Sequence, residues 1–272
     1  MIDTHCHLTN SQLVHRLDEV IDQAKQVGVH TMVTVATDGD DALAARQIAE
    51  LNQNIYFSSG IHPLHAEGAW NWEHVREAAR DEKCVAWGEL GLDRHYSEPA
   101  FKRQEQLLEE HIALIEGEKD DNRPIIVHCR KAVDDLLPRF EESSLEGDRF
   151  VFHCFTEREV DARKILDFGA MISFTGVVTY KNATEVAAAA KIVPLDRIMV
   201  ETDSPYLSPE PVRNIRPNEP KHVMYTRSEE HTSELQSRRN LVTRLLLEKK
   251  QPVFMLPTTR PTGRQRSAPA TT

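Results

Sequence analysis

At 272 residues the chain is long enough for one large domain, and 33 basic against 43 acidic residues give a formal charge of −10, which excludes a broad electrostatic footprint for duplex DNA. The four cysteines form no CxxC pair and exclude a disulfide framework; with no signal peptide or long apolar span at the start, the expectation is a reducing cytoplasm and no membrane.

The chain opens on an apolar run, Met1 to Leu8, that carries Asp3, His5 and His7 among Ile2, Cys6 and Leu8. In a β-strand residues two apart share a face, so one carboxylate and two imidazoles converge on one side. Burying them together is costly unless something pairs them, and a divalent cation does so. Further short apolar runs follow at Thr31 to Ala36, Ile55 to Ile61, Cys84 to Leu90, Pro124 to Cys129, Phe150 to Phe155, Ala170 to Phe174 and Arg197 to Thr202, making eight in all. Stretches of helical spacing lie between most of them, such as Leu17, Val20, Ile21 and Ala24, or Leu107, Leu108, Ile112 and Ile115. Strand and helix alternating eight times predict a (β/α)8 TIM-type barrel, which takes about 250 residues. A doubly wound open sheet is disfavoured because no glycine-rich turn follows the first strand, and there is no internal repeat.

The reactive residues fall at C-terminal strand ends: His5 and His7 on the first strand, His62 and His65 after the third, Glu89 on the fourth, His128 on the fifth, His153 on the sixth and Asp203 at the eighth. In a barrel these ends form one rim, so residues two hundred positions apart become neighbours. If His5, His128 and His153 face inward, alternation turns Cys6, Cys129 and Cys154 toward the helix layer as packing residues.

Six motifs in a fixed order then carry a family resemblance: IDTHCHL at Ile2 to Leu8, GIHP at Gly60 to Pro63, GELGLD at Gly88 to Asp93, PIIVHCR at Pro124 to Arg130, FHCF at Phe152 to Phe155 and ETDSPYL at Glu201 to Leu207. Together they resemble the TatD family of metal-dependent deoxyribonucleases, within the amidohydrolase-like barrels, from the start of the chain to about Pro220. The resemblance implies two adjacent divalent metal ions, Mg, Mn or Zn. His5, His7, Glu89 and Asp203 would hold the first, and Glu89 would bridge to a second bound by His128 and His153. Related phosphotriesterase and dihydroorotase barrels carry a carboxylated lysine where this chain has Glu89. Asp3 is expected behind the ligands, orienting an imidazole, and Asp203 is expected to accept the proton of the attacking water. His62 and His65 are expected to face the substrate, with Arg130 and Arg94 as phosphate clamps. The loops Glu67 to Trp72 and Arg94 to Phe101 are the candidates for specificity, with Trp70 or Trp72 available to stack on a base.

The implied activity is hydrolysis of nucleic-acid phosphodiesters, as a 3′ to 5′ exonuclease on single-stranded DNA or RNA. The alternatives are deacylation of D-aminoacyl-tRNA by the same centre, and a chimeric chain without function. The last alternative arises because the resemblance stops near Thr226, after Asn218, Glu219 and Pro220. Residues 227–250 resemble translated sequencing-adapter sequence, first RSEEHTSELQS and then LVTRLLLEKK. Residues 1–226 are therefore expected to form the barrel without its closing C-terminal helix, and 227–272 an artefactual, largely disordered tail. Leu245 to Leu247 of that tail are available to cover the outward residues of the eighth strand, Ile198, Val200 and Thr202. Nine of the 33 basic and four of the 43 acidic residues lie in the tail, leaving the body with 24 against 39 and a formal charge of −15. An acidic body suits a grip on a few nucleotides at a strand end, where bound cations supply the local positive charge.

Overall fold

In the computed structural model, which describes residues 1–228, the eight apolar runs are eight parallel strands hydrogen-bonded in sequence order. They are β1 (Ile2–Cys6), β2 (Thr31–Thr34), β3 (Ile55–Ser59), β4 (Cys84–Asp93), β5 (Ile125–Arg130), β6 (Phe150–Phe152), β7 (Met171–Phe174) and β8 (Ile198–Val200). Helices follow every strand: α1 (Ser11–Val14) and α2 (Leu17–Gln26) after β1, then α3 (Gly39–Leu51), α4 (Trp72–Ala79), α5 (Phe101–Gly117), α6 (Val133–Glu142), α7 (Glu159–Asp167), α8 (Thr184–Ile192) and α9 (Val223–Ser228). This is the (β/α)8 barrel that the alternation predicts.

Two apolar layers hold it together. Val33, Val35, Val85, Ala86 and Ile126 form one group and Val151, Met171 and Met199 another. Five strands send several of these residues to one small cavity that also meets His5, His153 and Glu201, so both groups fill the barrel interior directly beneath the ligands. The larger layer lies between strands and helices and includes Cys6, Leu8, Phe57, Trp87, Phe150 and Phe152. α2 shows the logic of its helices: Val20, Ile21 and Ala24 are buried, while Asp18 and Glu19 begin it and Lys25 ends it, matching the helix dipole. Gly28, at φ +84°, then stops it, with Gly28 N–H on the Lys25 carbonyl and Val29 N–H on that of Ala24.

α5 departs from the predicted stripe. Leu107, Leu108 and Ile115 are buried as the spacing predicts, but Ile112 is only partly so, and the polar Gln104 and His111 occupy the inner face. Gln104 accepts from Asp93 N–H at 2.8 Å and donates to the carbonyls of Asp93 and Pro99 at 3.1 and 3.0 Å. That anchor fixes the end of β4, which runs three residues beyond the predicted Leu90. The β4–β5 register shifts between Trp87 and Leu90. At Gly91, φ is +147° and a Cβ would meet the His128 carbonyl oxygen at 1.9 Å, so only glycine lets β4 continue beside β5.

The ring closes between β1 and β8. Asp203 N–H donates to the His5 carbonyl at 2.9 Å, His7 N–H to that of Ser204 at 2.8 Å, and Thr4 Oγ1 to that of Val200 at 3.1 Å. Asp3 belongs to this seam, which corrects the expectation that it orients an imidazole. Its carboxyl accepts from Thr202 N–H at 2.9 Å, meets Thr202 Oγ1 at 2.5 Å and touches His5 only at the backbone, 3.4 Å. The reason lies in β1 itself: its register shifts between Asp3 and Cys6, so strict alternation fails and Thr4 and His5 both reach the internal cavity. Burial outweighs the bonds from Thr202 and pushes Asp3 up to about 8, leaving it a neutral carboxyl at pH 7. Asp3→Ala strands the Thr202 donors and is expected to cost roughly 2–4 kcal/mol in urea unfolding, while Asp3→Asn, neutral and isosteric, stays within about 1 kcal/mol of the parent.

The outer face of β8 is covered within the described residues. Ile198 is buried, Val200 is partly buried, and α9 packs against β8 with Val223 fully buried. The tail beyond, including Leu245 to Leu247, lies outside the described residues.

Candidate metal centre

At the C-terminal rim, β1, β4, β5, β6, β8 and the turn after β3 deliver five imidazoles and two carboxylates to one point. Three groups have ligand atoms within 4.8 Å of one another: His5, Glu89 and His153; His5, His7 and Asp203; His62, Glu89 and His128. Glu89 joins them. Its Oε2 is 3.4 Å from His5 Nε2, while its Oε1 is 2.6, 2.8 and 3.4 Å from His153 Nε2, His128 Nδ1 and His62 Nε2. Asp203 Oδ1 is 3.3 Å from His7 Nε2 and 3.7 Å from His5 Nε2. All six residues expected as ligands are thus brought together. His62, expected to face the substrate, is inside the centre as well, its Nε2 3.0 Å from His128 Nδ1.

Neighbours that the sequence did not single out orient these rings. His7 Nδ1–H donates to the Val35 carbonyl at 2.8 Å, which turns Nε2 toward Asp203. His128 Nε2 is held at 3.0 Å by Asp93, whose other oxygen accepts from the backbone of His95 and Tyr96 at 2.7 and 3.2 Å. His153 Nδ1 faces Glu201 Oε1 at 3.4 Å, and Glu201 is pinned by Cys154 N–H at 2.7 Å and Ser173 Oγ at 2.6 Å. Asp93 and Glu201 therefore do what was expected of Asp3. Asp93 ends one motif visible in the sequence and Glu201 begins another, but Asp93 needs the extended β4, and Glu201 stands two residues before Asp203.

The electrostatics fit a cation. Burial alone would push Glu89 up, yet His153, His62 and His128 outweigh it and hold its carboxyl well below the usual range. Asp203 is likewise held low against its burial by His7 and His5. Against the same desolvation the carboxylates raise His7 to about 9, and raise His128 and His153 too. Burial wins at His5, which is lowered, and at His62, which falls to about 4. The centre thus gathers anions that demand compensating positive charge, beside neutral imidazoles with lone pairs to give. Divalent ions supply that charge by displacing protons from such ligands.

His111 supports the centre from below. Its Nδ1–H donates to the Leu107 carbonyl and its Nε2 accepts from Ile61 N–H, both at 3.0 Å, fixing the chain just before His62. Burial lowers it to about 4. The folded value lies below the ordinary 6.5, so stability is fully present above pH 6.5 and is lost as pH falls toward 4. The expected loss is on the order of 3 kcal/mol, removed in His111→Gln; urea unfolding from pH 7 to 4 checks the difference.

Above the centre opens a cleft of about 850 Å³ lined by His7, His62, Glu89, His128, His153 and Asp203, with Arg130, Tyr96 and Tyr206 on its walls. His65 stands at its edge, 3.2 Å from Asp38 and edge-on to His62 at 6.3 Å, outside the ligand groups. Arg130 has no carboxylate within salt-bridge distance among the described residues, so its guanidinium is available to an anion. Arg94 is not available. Two bonds of 2.6 Å tie it to Asp135, and it lies 3.6 Å over the ring of Phe101. Trp70 and Trp72 also leave the cleft: Trp70 donates to the Ala66 carbonyl beneath Arg103, and Trp72 donates to Glu110 and packs on His111. Cys6 and Cys129 pack in the outer layer as alternation predicts, but Cys154 does not. β6 ends at Phe152, and φ +45° at Cys154 turns it into the cleft, with Sγ 3.6 Å from Thr175 Oγ1.

Comparison with known proteins agrees with this architecture. Residues 2–241 match the family model described as TatD related DNase, a match that passes Thr226 into residues outside the described set. The metal-dependent hydrolase YcfH of Escherichia coli K12, itself uncharacterized, is 39% identical over 226 residues, covering 82% of this chain and 84% of that protein. A Cronobacter sakazakii protein named 3′-5′ ssDNA/RNA exonuclease TatD is 33% identical over 229 residues, covering 81% and 85%. Among solved structures, the TatD homolog YJJV of E. coli K12 superposes with a TM-score of 0.80 at 28% identity, covering 92% of this chain and 95% of that one. A family match over most of the length, joined to these relatives, makes the chain a member of the TatD family of metal-dependent hydrolases.

Proposed function

We propose that the chain hydrolyses phosphodiester bonds at the 3′ ends of single-stranded DNA or RNA, using two divalent ions. The observation that carries the proposal is the split engagement of Glu89, one oxygen toward His5 and the other toward His62, His128 and His153. A single carboxylate shared in this way suits a pair of adjacent cations. His5, His7, Glu89 and Asp203 would hold the first ion, and Glu89, His128 and His153 the second, with His62 close to that group. Magnesium, manganese and zinc all suit such nitrogen and carboxylate donors. The ions, when bound, supply positive charge against the scissile phosphate and acidify the attacking water.

The remaining work falls to the chain. Asp203 lines the cleft as a carboxylate beside His7, so it accepts the proton of the attacking water. Arg130 binds a phosphate oxygen, and the buried barrel beneath the centre keeps bulk solvent to one side. The net negative charge of the body favours a strand end over a long duplex track, and the named activity of the Cronobacter relative points the same way. The test is to offer linear and circular single strands of one sequence, and D-aminoacyl-tRNA, with each metal in turn. Linear strands shortened from the 3′ end with circles intact support the proposal. Circles cut at the same rate would make the protein an endonuclease, and amino-acid release without strand cleavage would move the activity to the ester.

A further inference from the structure

Two tyrosines in the cleft take no part in the proposed metal chemistry. Among the described residues, Tyr96 and Tyr206 are the aromatic side chains that stand out as exposed, each 50% accessible, and both line the cleft. Tyr96 follows β4 and Tyr206 follows β8, strands on opposite sides of an eight-membered ring, so the two rings face the centre from opposite walls. Each is tied to a different ligand group. Tyr206 packs edge-on to His7 at 6.3 Å, its hydroxyl 3.4 Å from Asn10 Nδ2. Tyr96 donates its backbone N–H to Asp93, the residue that holds His128, and the guanidinium of Arg130 lies 5.3 Å from its ring centroid.

Half-exposed phenol rings on both sides of a phosphodiester centre fit flat apolar groups joined through a phosphate. Resting on the phosphodiesterase reading above, we infer that Tyr96 and Tyr206 are stacking platforms for the two nucleobases that flank the scissile phosphate. A base on Tyr96 carries its phosphate past Arg130, and a base on Tyr206 sits beside the His7 and Asp203 side of the centre. Bases within a duplex have both faces covered by their neighbours, so only an unpaired end can use both rings. That ties the choice of single strands to these side chains and makes the choice blind to sequence, since every base has a π face.

The test compares a 3′-terminal single strand with the same strand carrying abasic sugars at its last two positions, cleaved by the metallated full chain. The ratio of kcat/KM for base-bearing over abasic ends is expected to fall about 10-fold in Tyr206→Leu, about 10-fold in Tyr96→Leu, and to be kept in the matching phenylalanine variants. A 2-aminopurine at the 3′ end gives a readout independent of cleavage, because stacking on the ring quenches it. Leucine variants that cleave with an unchanged ratio and quench like the parent overturn the platforms while leaving the phosphodiesterase standing. If the parent cleaves neither strand, the phosphodiesterase reading falls, and quenching decides the platforms: lost in the leucine variants it upholds them, unchanged it overturns them.

Discussion

Glu89→Gln is expected to lower metal-dependent hydrolysis by at least about 10³-fold while leaving the barrel folded. The residue is buried, sits on the longest strand, and contacts four of the five clustered imidazoles. Glutamine keeps the shape, so the packing around β4 and β5 survives. It loses the charge and presents an N–H₂ to rings that need an acceptor, so on the two-ion proposal neither ion would keep its shared ligand. Metal content measured on the purified variant should therefore fall together with activity. A variant that retains two ions and most of its activity would mean that Glu89 is structural and that the two sites are independent.

Asp203→Asn tests the proton path, with metal content measured alongside because Asp203 is also placed as a ligand of the first ion. The carboxylate lies 3.3 Å from His7 Nε2 and opens onto the cleft, and it is held ionised through the neutral range. Asparagine preserves the contact but accepts no proton. The expected result is a fall in kcat of about 10²–10⁴-fold with KM changed only a few-fold. A second readout accompanies it. His7 reaches about 9 because the bond and charge of Asp203 outweigh its burial. In the metal-free variant it should titrate well below that value by NMR. An equal fall in kcat with His7 unmoved would place the loss elsewhere than in this pair.

Much of the barrel was legible because its signals are local. Apolar runs spaced by helical stretches set the eight strands, and alternation along the first one announced His5 and His7. Positions at strand ends then gathered Glu89, His128, His153 and Asp203 without any knowledge of distance. Alternation failed where the backbone shifts register. In β1 that shift gives Asp3 to Thr202 rather than to an imidazole, while in β4 the strand's extension past Leu90 carries Asp93 to His128. Cys154 escaped for the same reason, a positive φ just past the end of β6.

Other residues were hidden by tertiary contact. His62 looked like a substrate group because it follows a strand instead of lying on one, yet the turn after β3 folds it over Glu89. Gln104 and His111 were readable in principle: at spacings of three and four from Leu107, Leu108 and Leu114 they interrupt an otherwise apolar stripe with polar groups that must find buried partners. Tryptophan size drew attention to Trp70 and Trp72, whereas the exposed rings in the cleft are tyrosines. Exposure is decided by loops, and no spacing rule reaches it.

Glu89 is proposed to gather two cations into a centre that releases nucleotides from a single-stranded 3′ end. The most direct test is the first product from a 3′-labelled single-stranded oligonucleotide given to the full chain with magnesium, manganese or zinc. Labelled mononucleotide appearing first, only with metal, and absent from Glu89→Gln, is the predicted result. A folded chain that binds two ions and releases no mononucleotide, or one that releases it equally without Glu89, would contradict the account.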